Sequence, residues 1–162
     1  MDIRDATGAD FTAIWPIFRD IVRAGETYGF ARDTSKEKAH HLWMELPERT
    51  FVAEDDDGIV GTYFLKANQA GPGAHVCNCG YMVAPAARGK GVATAMCEHS
   101  QGVARALGYK AMQFNYVAES NAGAARLWQH LGFQIVGTVP KAFEHPTLGY
   151  VGAHVMYKWL EG

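Results

Sequence analysis

The sequence predicts an α/β (α+β) domain in which about four helices cover a mixed central sheet of about seven strands. Three observations indicate this fold class. Apolar periodicity orders the elements as β-α-α-β-β-β-α-β-α-β-β, which interleaves helices with strands. The 162 residues are 48% hydrophobic and 20% charged, which is enough for one full core. No linker, repeat or low-complexity segment divides the chain, so residues 1–162 are predicted to form a single domain.

The chain begins with a short predicted strand and a helix. Ile3–Ala6 has a strand pattern, and Thr7 with Asp10 resembles a capping box for the helix that follows. Gly25 is expected to end that helix. Pro16 lies within it, so we expect a kink or a split near its first turns.

A second helix and a hairpin are expected next. Thr34 provides a cap for this helix, which ends at Leu46 before a proline. The loop between the two helices, residues 25–30 with the sequence GETYGF, carries aromatic side chains and is expected to wall a pocket. Strands over Thr50–Ala53 and Ile59–Lys66 flank an Asp-Gly turn, which is a strong hairpin signal.

The stretch His75–Leu107 is the centre of the prediction and contains a strand, a glycine-rich turn and a long helix. Val76–Val83 is a compact apolar run, and helical periodicity begins at Val92. The turn between them includes Arg88–Gly91, which has the sequence RGKG. Free N–H groups at a helix start, beside basic side chains, favour phosphate or pyrophosphate binding. Glycines required only for their backbone angles would explain the same turn, and neither a Walker loop nor a GxGxxG pattern is present.

The last third of the chain is predicted to close the sheet. Lys110–Val117 is an apolar strand, and Ser120 or Asn121 caps a short helix after it. The next strand is predicted over Phe133–Val139. Residues 140–149, with the sequence PKAFEHPTLG, are expected to form a loop long enough to be functional, and a final alternating strand follows. The overlapping segment AFEHPTLGY, residues 142–150, is expected to form a second wall of the pocket.

Composition excludes several classes of partner. A net charge of −2 and a pI near 6.4 argue against general nucleic-acid binding. We find no signal-like start and no long apolar window, so we predict no membrane span and a cytoplasmic location. Three cysteines, Cys77, Cys79 and Cys97, provide neither a disulfide framework nor a four-ligand zinc site, and no metal is predicted.

Two sequence blocks resemble the GNAT superfamily of acetyl-CoA-dependent N-acetyltransferases, and the resemblance extends over nearly the whole chain. The first block reads GYMVAPAARGKGVATAM, like that family's strand, pyrophosphate loop and helix. The second reads ESNAGAARLWQHLGF, like its Asn-x-x-Ala-x-x-Leu-aromatic-x-x-x-Gly-Phe block. Because both blocks occur in the family's order and spacing, the pair is more specific than either block alone.

The resemblance implies that strands four and five splay apart and that acetyl-CoA binds there as co-substrate. Backbone groups of Met82 and Val83 are expected to face the pantetheine arm, since splayed strands leave ladder groups unpaired. Asn121 is expected to touch the pantetheine, although helix capping alone also explains this residue. The amides expected to hold the pyrophosphate are those of Arg88, Gly89, Lys90, Gly91, Val92 and Ala93.

Two departures from the family pattern concern the chemistry. Asn78 stands where the family often has a glutamate that acts as general base, and Trp128 stands where it often has a tyrosine proposed to protonate the departing thiolate. A neutral amide cannot take a proton, and an indole N–H is a poor acid. Neither standard role is therefore carried over to this chain.

Further runs narrow the resemblance. HVCNCGYMV, MQFNYVAESN and VPKAFEHPTLGYVGAHVMY look like the branch that includes azetidine-2-carboxylate and hydroxyproline acetyltransferases. On this basis Asn78 and Asn115 are expected to hold the carboxylate or amine of a small substrate. The alternative is a pair of hydrogen-bonded core amides.

The function expected from these features is N-acetylation of a small-molecule amine, an amino acid or analogue, by direct attack in a ternary complex. The amine's proton is expected to leave through water toward Glu26, His145 or His154, and His145 is favoured because a loop histidine titrates near neutrality. An ordinary loop histidine is the alternative. The competing functions are a catalytically silent acyl-CoA-binding module and a protein or peptide N-acetyltransferase. The family resemblance further suggests a homodimer.

Overall fold

A seven-stranded sheet forms the centre of the computed structural model, which describes residues 1–161. Its strands lie in the order β1-β2-β3-β4-β5-β7-β6, and the predicted fold class is confirmed. The strands are Asp2–Asp5 (β1), Arg49–Asp55 (β2), Gly58–Ala67 (β3), Val76–Val83 (β4), Ala111–Ala118 (β5), Gln134–His145 (β6) and Gly149–Trp159 (β7). The helices are Phe11–Ala24 (α1), Lys36–His40 (α2), Val92–Ala106 (α3) and Ala122–His130 (α4).

Every neighbouring pair of strands is antiparallel except β4 and β5, which are parallel. These two strands pair only at their beginnings, where Val76 faces Ala111 and Cys77 faces Met112. Beyond those positions the ladder stops, although each strand continues for several residues. The expected splay between the fourth and fifth strands is therefore present.

The helices cover opposite faces of the sheet. Helices α1 and α2 pack on one face with Phe64 and Met82, whereas α3 and α4 pack on the other with Tyr63 and Met112. Helix α3 lies very close to β3, because a Cβ at Gly61 would come within 2.9 Å of the Met96 side chain. Burial of these apolar faces provides most of the stabilisation of the helices.

The predicted capping box forms just before the first helix. Thr7 caps a 3₁₀ turn, Gly8–Asp10, that leads directly into α1, and Asp10 accepts a hydrogen bond of 2.6 Å from the Thr7 N–H. Gly25 ends α1 as predicted, with a φ of +68°. Of the kink or split expected at Pro16, the split is wrong, since α1 continues through Pro16 as one helix; the kink stays a prediction. Its buried apolar face holds the helix together despite the hydrogen bond that proline cannot make.

Two boundaries differ from those predicted. Ser35, not Thr34, caps α2 by accepting a hydrogen bond of 3.1 Å from the Lys38 N–H. Helix α2 then continues as a π-helical turn, His41–Glu45. The expected loop over residues 140–149 is also wrong, because most of this segment extends β6 against β7 and only a tight turn separates the two strands.

Within residues 1–161, no helix combines the length and the apolar character needed to cross a membrane.

Candidate active site

A cavity of about 740 Å³ opens where β4 and β5 separate. One wall is formed by the loop after α1, residues 26–30, which confirms the pocket wall predicted for the GETYGF segment. The wall predicted for residues 142–150 is wrong, because that segment extends β6 and β7 and does not border this cavity. The sheet contributes residues 78–83 of β4 and residues 114–117 of β5. The starts of α3 and α4 complete the lining through Ala93, Asn121 and their neighbours.

The splay begins at a specific contact. The Asn78 side chain donates a hydrogen bond of 2.9 Å from Nδ2 to the backbone carbonyl of Gln113, directly after the last paired position of β4 and β5. The Asn78 side chain thus takes the place of the next backbone hydrogen bond between β4 and β5. Because the following backbone groups on both strands lack ladder partners across the gap, an amide-rich chain such as pantetheine can pair with them.

The turn between β4 and α3 has the properties of an anion cradle. Gly89 and Gly91 have φ values of +76° and +80°, a region that favours glycine, and nothing lies within 4 Å of a Cβ built on either residue. The first hydrogen bond recorded along α3 runs from Ala95 N to the Gly91 carbonyl at 3.0 Å, and no side chain caps this helix. The preceding N–H groups therefore point to the helix start without protein partners among the described residues. These donors fit a pyrophosphate.

The residues predicted to bind the cofactor are distributed over the cavity and this turn. Those that border the cavity are Met82, Val83, Arg88, Ala93 and Asn121, whereas Gly89, Lys90 and Gly91 lie in the adjacent turn. The Val92 side chain is buried, so only its backbone is available to a ligand. The Arg88 N–H donates to the Pro85 carbonyl at 3.3 Å. The Arg88 amide therefore already has a protein partner, and its contact with a pyrophosphate stays a prediction.

Asn121 is the N-cap residue of α4, but its side chain makes no capping hydrogen bond. The amide instead borders the cavity, which leaves it available to a bound cofactor. Ser120, the other predicted cap, has a buried Oγ that finds no hydrogen-bond partner among residues 1–161. The geometry therefore does not support capping as the reason for asparagine at position 121.

A second pair of amides continues the polar surface beyond Asn78. Asn115 Oδ1 accepts a hydrogen bond of 2.9 Å from Gln113, and Asn115 Nδ2 donates one of 2.7 Å to Asn68. Asn78 and Asn115 both border the cavity. Their side chains are oriented by protein contacts and still have hydrogen-bonding capacity, since each amide group carries two N–H donors.

The structure separates His145 from these residues. His145 lies at the end of β6, and its Nδ1 is 3.2 Å from both the Thr147 and the Leu148 N–H groups, which donate to it and stabilise the turn. His154 Nδ1 lies 2.7 Å from Thr138 Oγ1. Neither histidine borders the cavity, whereas Glu26 does.

The remaining reactive groups near the cavity are buried. Burial raises the pKa of the Cys79 thiol and of the Cys97 thiol, which keeps both protonated near neutrality. Trp128 is 9% exposed and packs with its ring centroid 5.2 Å from those of Tyr81 and Phe114. It forms part of the apolar wall.

Two cavity residues have individual roles that the sequence did not predict. Tyr28 donates a hydrogen bond of 2.7 Å to the backbone carbonyl of Tyr81 and so fixes the loop after α1 against β4. Lys66 borders the cavity from β3. A signal for Lys66 was available, because this charged residue ends a predicted strand, Ile59–Lys66, that is otherwise without charge.

No group of three or more histidine, cysteine, aspartate or glutamate side chains in the described part of the chain is arranged to hold a metal ion.

A parallel strand pair that splays over a cavity, followed by an anion cradle at a helix start, defines a cofactor cleft of the acyl-CoA-dependent transferase class. The sequence pattern of the Acetyltransferase (GNAT) family matches residues 12–133, and the chain belongs to this family.

Individual relatives agree with this assignment. The chain is 32% identical over 100 residues to the N-acetyltransferase aca1 of Schizosaccharomyces pombe, a match that covers 60% of this chain and 47% of aca1. It therefore spans just under half of the length of this curated relative.

A solved GCN5-related N-acetyltransferase from Kribbella flavida is 50% identical with a TM-score of 0.93, covering 98% of this chain and 96% of that one. A phosphinothricin acetyltransferase from Sinorhizobium meliloti, solved with acetyl-CoA, has a TM-score of 0.85 at 22% identity, covering 98% of this chain and 87% of that one. At that identity the likeness shows the fold alone.

Proposed function

We propose that this protein transfers an acetyl group from acetyl-CoA to the amine of a small molecule, an amino acid or an analogue, by direct attack in a ternary complex. The observation that carries the proposal is the convergence of three features on one cavity. These features are the splayed strands, the anion cradle at α3 and the amide-bearing sheet face with Asn78 and Asn115.

The chain offers a continuous path for the cofactor. The N–H groups of the turn around Gly89 and Gly91 would hold the pyrophosphate, with Arg88 and Lys90 adding positive charge. Backbone groups at Met82 and Val83 would pair with the pantetheine arm, and Asn121 would contact it from the other side. Acetyl-CoA supplies the activated acetyl thioester when it is bound.

The acceptor amine must lose a proton before it can attack. An alkylammonium has a pKa of about 10, so at neutral pH a group of the protein or a water chain must take that proton. Glu26 is the only carboxylate among residues 1–161 that borders the cavity, and we propose that its Oε atoms receive the proton directly or through water. The position of His145 outside the cavity makes it a weaker candidate than Glu26.

The names of distant relatives include both small-molecule and protein acceptors. The Sinorhizobium meliloti protein is named for phosphinothricin, whereas a Brucella melitensis relative at 23% identity is named a ribosomal-protein-alanine N-acetyltransferase. The enclosed position of Asn78, which is 9% exposed, favours the small acceptor for this chain. The resemblance of several sequence runs to azetidine-2-carboxylate and hydroxyproline acetyltransferases also supports a small acceptor.

A substrate panel tests the proposal. Release of free CoA thiol would be followed with free amino acids, cyclic imino acids and phosphinothricin, beside a histone-tail peptide and spermidine. We expect turnover with at least one small amino acid or analogue. Turnover confined to the peptide or to spermidine would contradict the small-acceptor assignment.

The proposal includes a homodimer in the cytoplasm. Strand β6 is a sheet edge in which Val136 is 58% exposed and Val139 is 53% exposed. Long apolar edges are normally shielded, and two copies of one edge can pair about a twofold axis. Light scattering at micromolar concentration should give the mass of two chains, and a Val136→Lys variant should give the mass of one. A wild-type protein with the mass of one chain would contradict the homodimer.

A further inference from the structure

Lys66 places an unpaired positive charge on the wall of the cavity. Its side chain is half-buried, and none of the carboxylates among residues 1–161 lies within 4.0 Å of its ammonium group. Within residues 1–161 the ammonium group donates no hydrogen bond to a protein oxygen, and it lies 5.5 Å from the centroid of the Phe64 ring. Lys110 and Lys158 differ, because each donates hydrogen bonds to protein oxygens. A half-buried cation without an anionic partner is costly, so an anionic ligand would be favoured there.

The strand register places Lys66 beside the amides of the site. Lys66 is directly opposite Asn78 in the pairing of β3 with β4, so both side chains lie on the same face of the sheet. The parallel register continues this row to Gln113 on β5, whose carbonyl accepts the Asn78 amide. The Gln113 side chain in turn donates to Asn115. One face of three neighbouring strands thus carries a row of polar groups that ends in a cation.

The donors in this row match a carboxylate. Asn78 and Asn115 each use one N–H of the amide group in a protein hydrogen bond, which leaves a second N–H on each residue. Together with the three N–H donors of Lys66, these groups can satisfy both oxygens of a carboxylate.

The phosphates of a CoA molecule are a poor alternative ligand for Lys66. The anion cradle follows Val83 at the end of β4, whereas Lys66 faces Asn78 near the beginning of that strand. Val83 lies five positions after Asn78, and at the rise of a strand this places their Cα atoms about 17 Å apart. Lys66 therefore belongs to the end of the cavity remote from the cradle.

We propose that Lys66 determines acceptor specificity by binding the carboxylate of a zwitterionic amino acid, with Asn78 and Asn115 as neutral partners. Glu26, on the loop after α1, provides the opposite charge for the substrate ammonium. The inference rests on the proposed N-acetyltransferase function and narrows its substrate class to amines that carry a carboxylate.

Matched pairs of acceptors test the role of Lys66. L-Alanine would be compared with L-alaninamide, and L-proline with L-prolinamide, for the wild type, Lys66→Gln and the control Lys38→Ala, which removes an exposed lysine of α2. We expect Lys66→Gln to lower kcat/KM for the carboxylates by about 10- to 100-fold, mainly through KM, because a charged hydrogen bond is lost. The amides should change by about twofold or less, and the affinity for CoA should not change. The control should behave like the wild type.

Two results would overturn the inference. These are an equal loss with the acid and the amide of each pair, or no loss with either. Binding of the same four compounds to the CoA-loaded protein would also be measured by NMR titration. If the wild type acetylates no amine, the proposed function fails, but weaker binding of L-alanine and L-proline to Lys66→Gln would still support the role of Lys66. Equal binding to both proteins would refute it.

Discussion

The Asn78 side-chain amide and the Gln113 carbonyl are joined by a hydrogen bond of 2.9 Å at the point where β4 and β5 stop pairing. This bond is the last one between β4 and β5, and the cavity begins directly after it. An asparagine at this position thus has a structural role as well as its proposed role toward the substrate. It cannot act as the general base that the family often has here.

Replacement of Asn78 by alanine should therefore reduce both stability and activity. The Gln113 carbonyl would lose its partner at a half-buried position, so we expect the free energy of unfolding to fall by about 1–3 kcal/mol in urea denaturation. The value of kcat/KM should fall about tenfold or more. Gln129→Ala, which removes an exposed amide on α4, should change stability by about 0.5 kcal/mol or less. Full kcat/KM in Asn78→Ala would exclude a role in the site.

The anion cradle predicts a specific effect at Gly91. Alanine there should weaken CoA binding strongly, because the Cβ would project beside the N–H groups that hold the pyrophosphate. Because Gly91 has a φ of +80°, the alanine should also lower the free energy of unfolding by about 1–2 kcal/mol. Gly108→Ala is the matched control, with a φ of +92° and no neighbour within 4 Å. Calorimetric titration of both variants should show a loss of CoA affinity for Gly91→Ala alone, and equal affinities would mean that the glycine serves only the backbone.

Direct attack predicts that no cysteine carries the acetyl group. Burial raises the pKa of the Cys79 thiol, which borders the cavity, and also that of the Cys97 thiol, and a protonated thiol is a poor nucleophile. Serine variants at both positions should keep turnover within about threefold of the wild type. Mass spectrometry of the protein incubated with acetyl-CoA alone should find no acetyl-cysteine. A trapped acetyl-cysteine together with an inactive serine variant at the same position would require a covalent mechanism.

The acid stability of the fold should depend on Asp10. Arg4 donates hydrogen bonds of 2.8 Å and 3.0 Å to this carboxylate, and these contacts lower the pKa of Asp10 from 3.8 to about 2. The unfolded chain then binds the proton more tightly than the folded chain does. The contribution of Asp10 is therefore present above pH about 4 and is lost as the pH falls toward about 2. Urea unfolding across this range should show the stability difference between wild type and Asp10→Asn shrinking, whereas a constant difference would contradict the assignment.

The order of the elements was predictable because local signals and packing agree along most of the chain. Val76–Val83 is a strand with the predicted limits, because it is a compact apolar run and Pro85 follows its end. The extension of β6 was not predictable from local pattern. A register shift between Val139 and Phe143 interrupts the alternation, and Lys141 has a φ of +53°, so the segment has the sequence pattern of a loop until its pairing with β7 is known.

The site was only partly predictable for a related reason. The cradle and Asn78 lie in one continuous stretch of sequence, so the order of strand, turn and helix was sufficient to assign both of them to the same site. Glu26 was among the expected proton acceptors and lies in the loop that was predicted to wall the pocket, whereas Lys66 reaches the cavity only through the pairing of β3 with β4. Sequence spacing carries no information on such distances. Local pattern likewise does not show that the ring nitrogen of His145 accepts hydrogen bonds from the turn at the end of β6.

The central claim, acetyl transfer to a small amine, is tested most directly by measuring both products of one reaction. Purified protein would be incubated with acetyl-CoA and each free amino acid of the panel, and free CoA thiol and N-acetylated amino acid would be quantified in the same samples. We predict that the two products appear in equal amounts and only when the accepting amino acid is present. Tight CoA binding, with thiol release that no amine in the panel increases, would contradict the account and indicate a silent acyl-CoA-binding module.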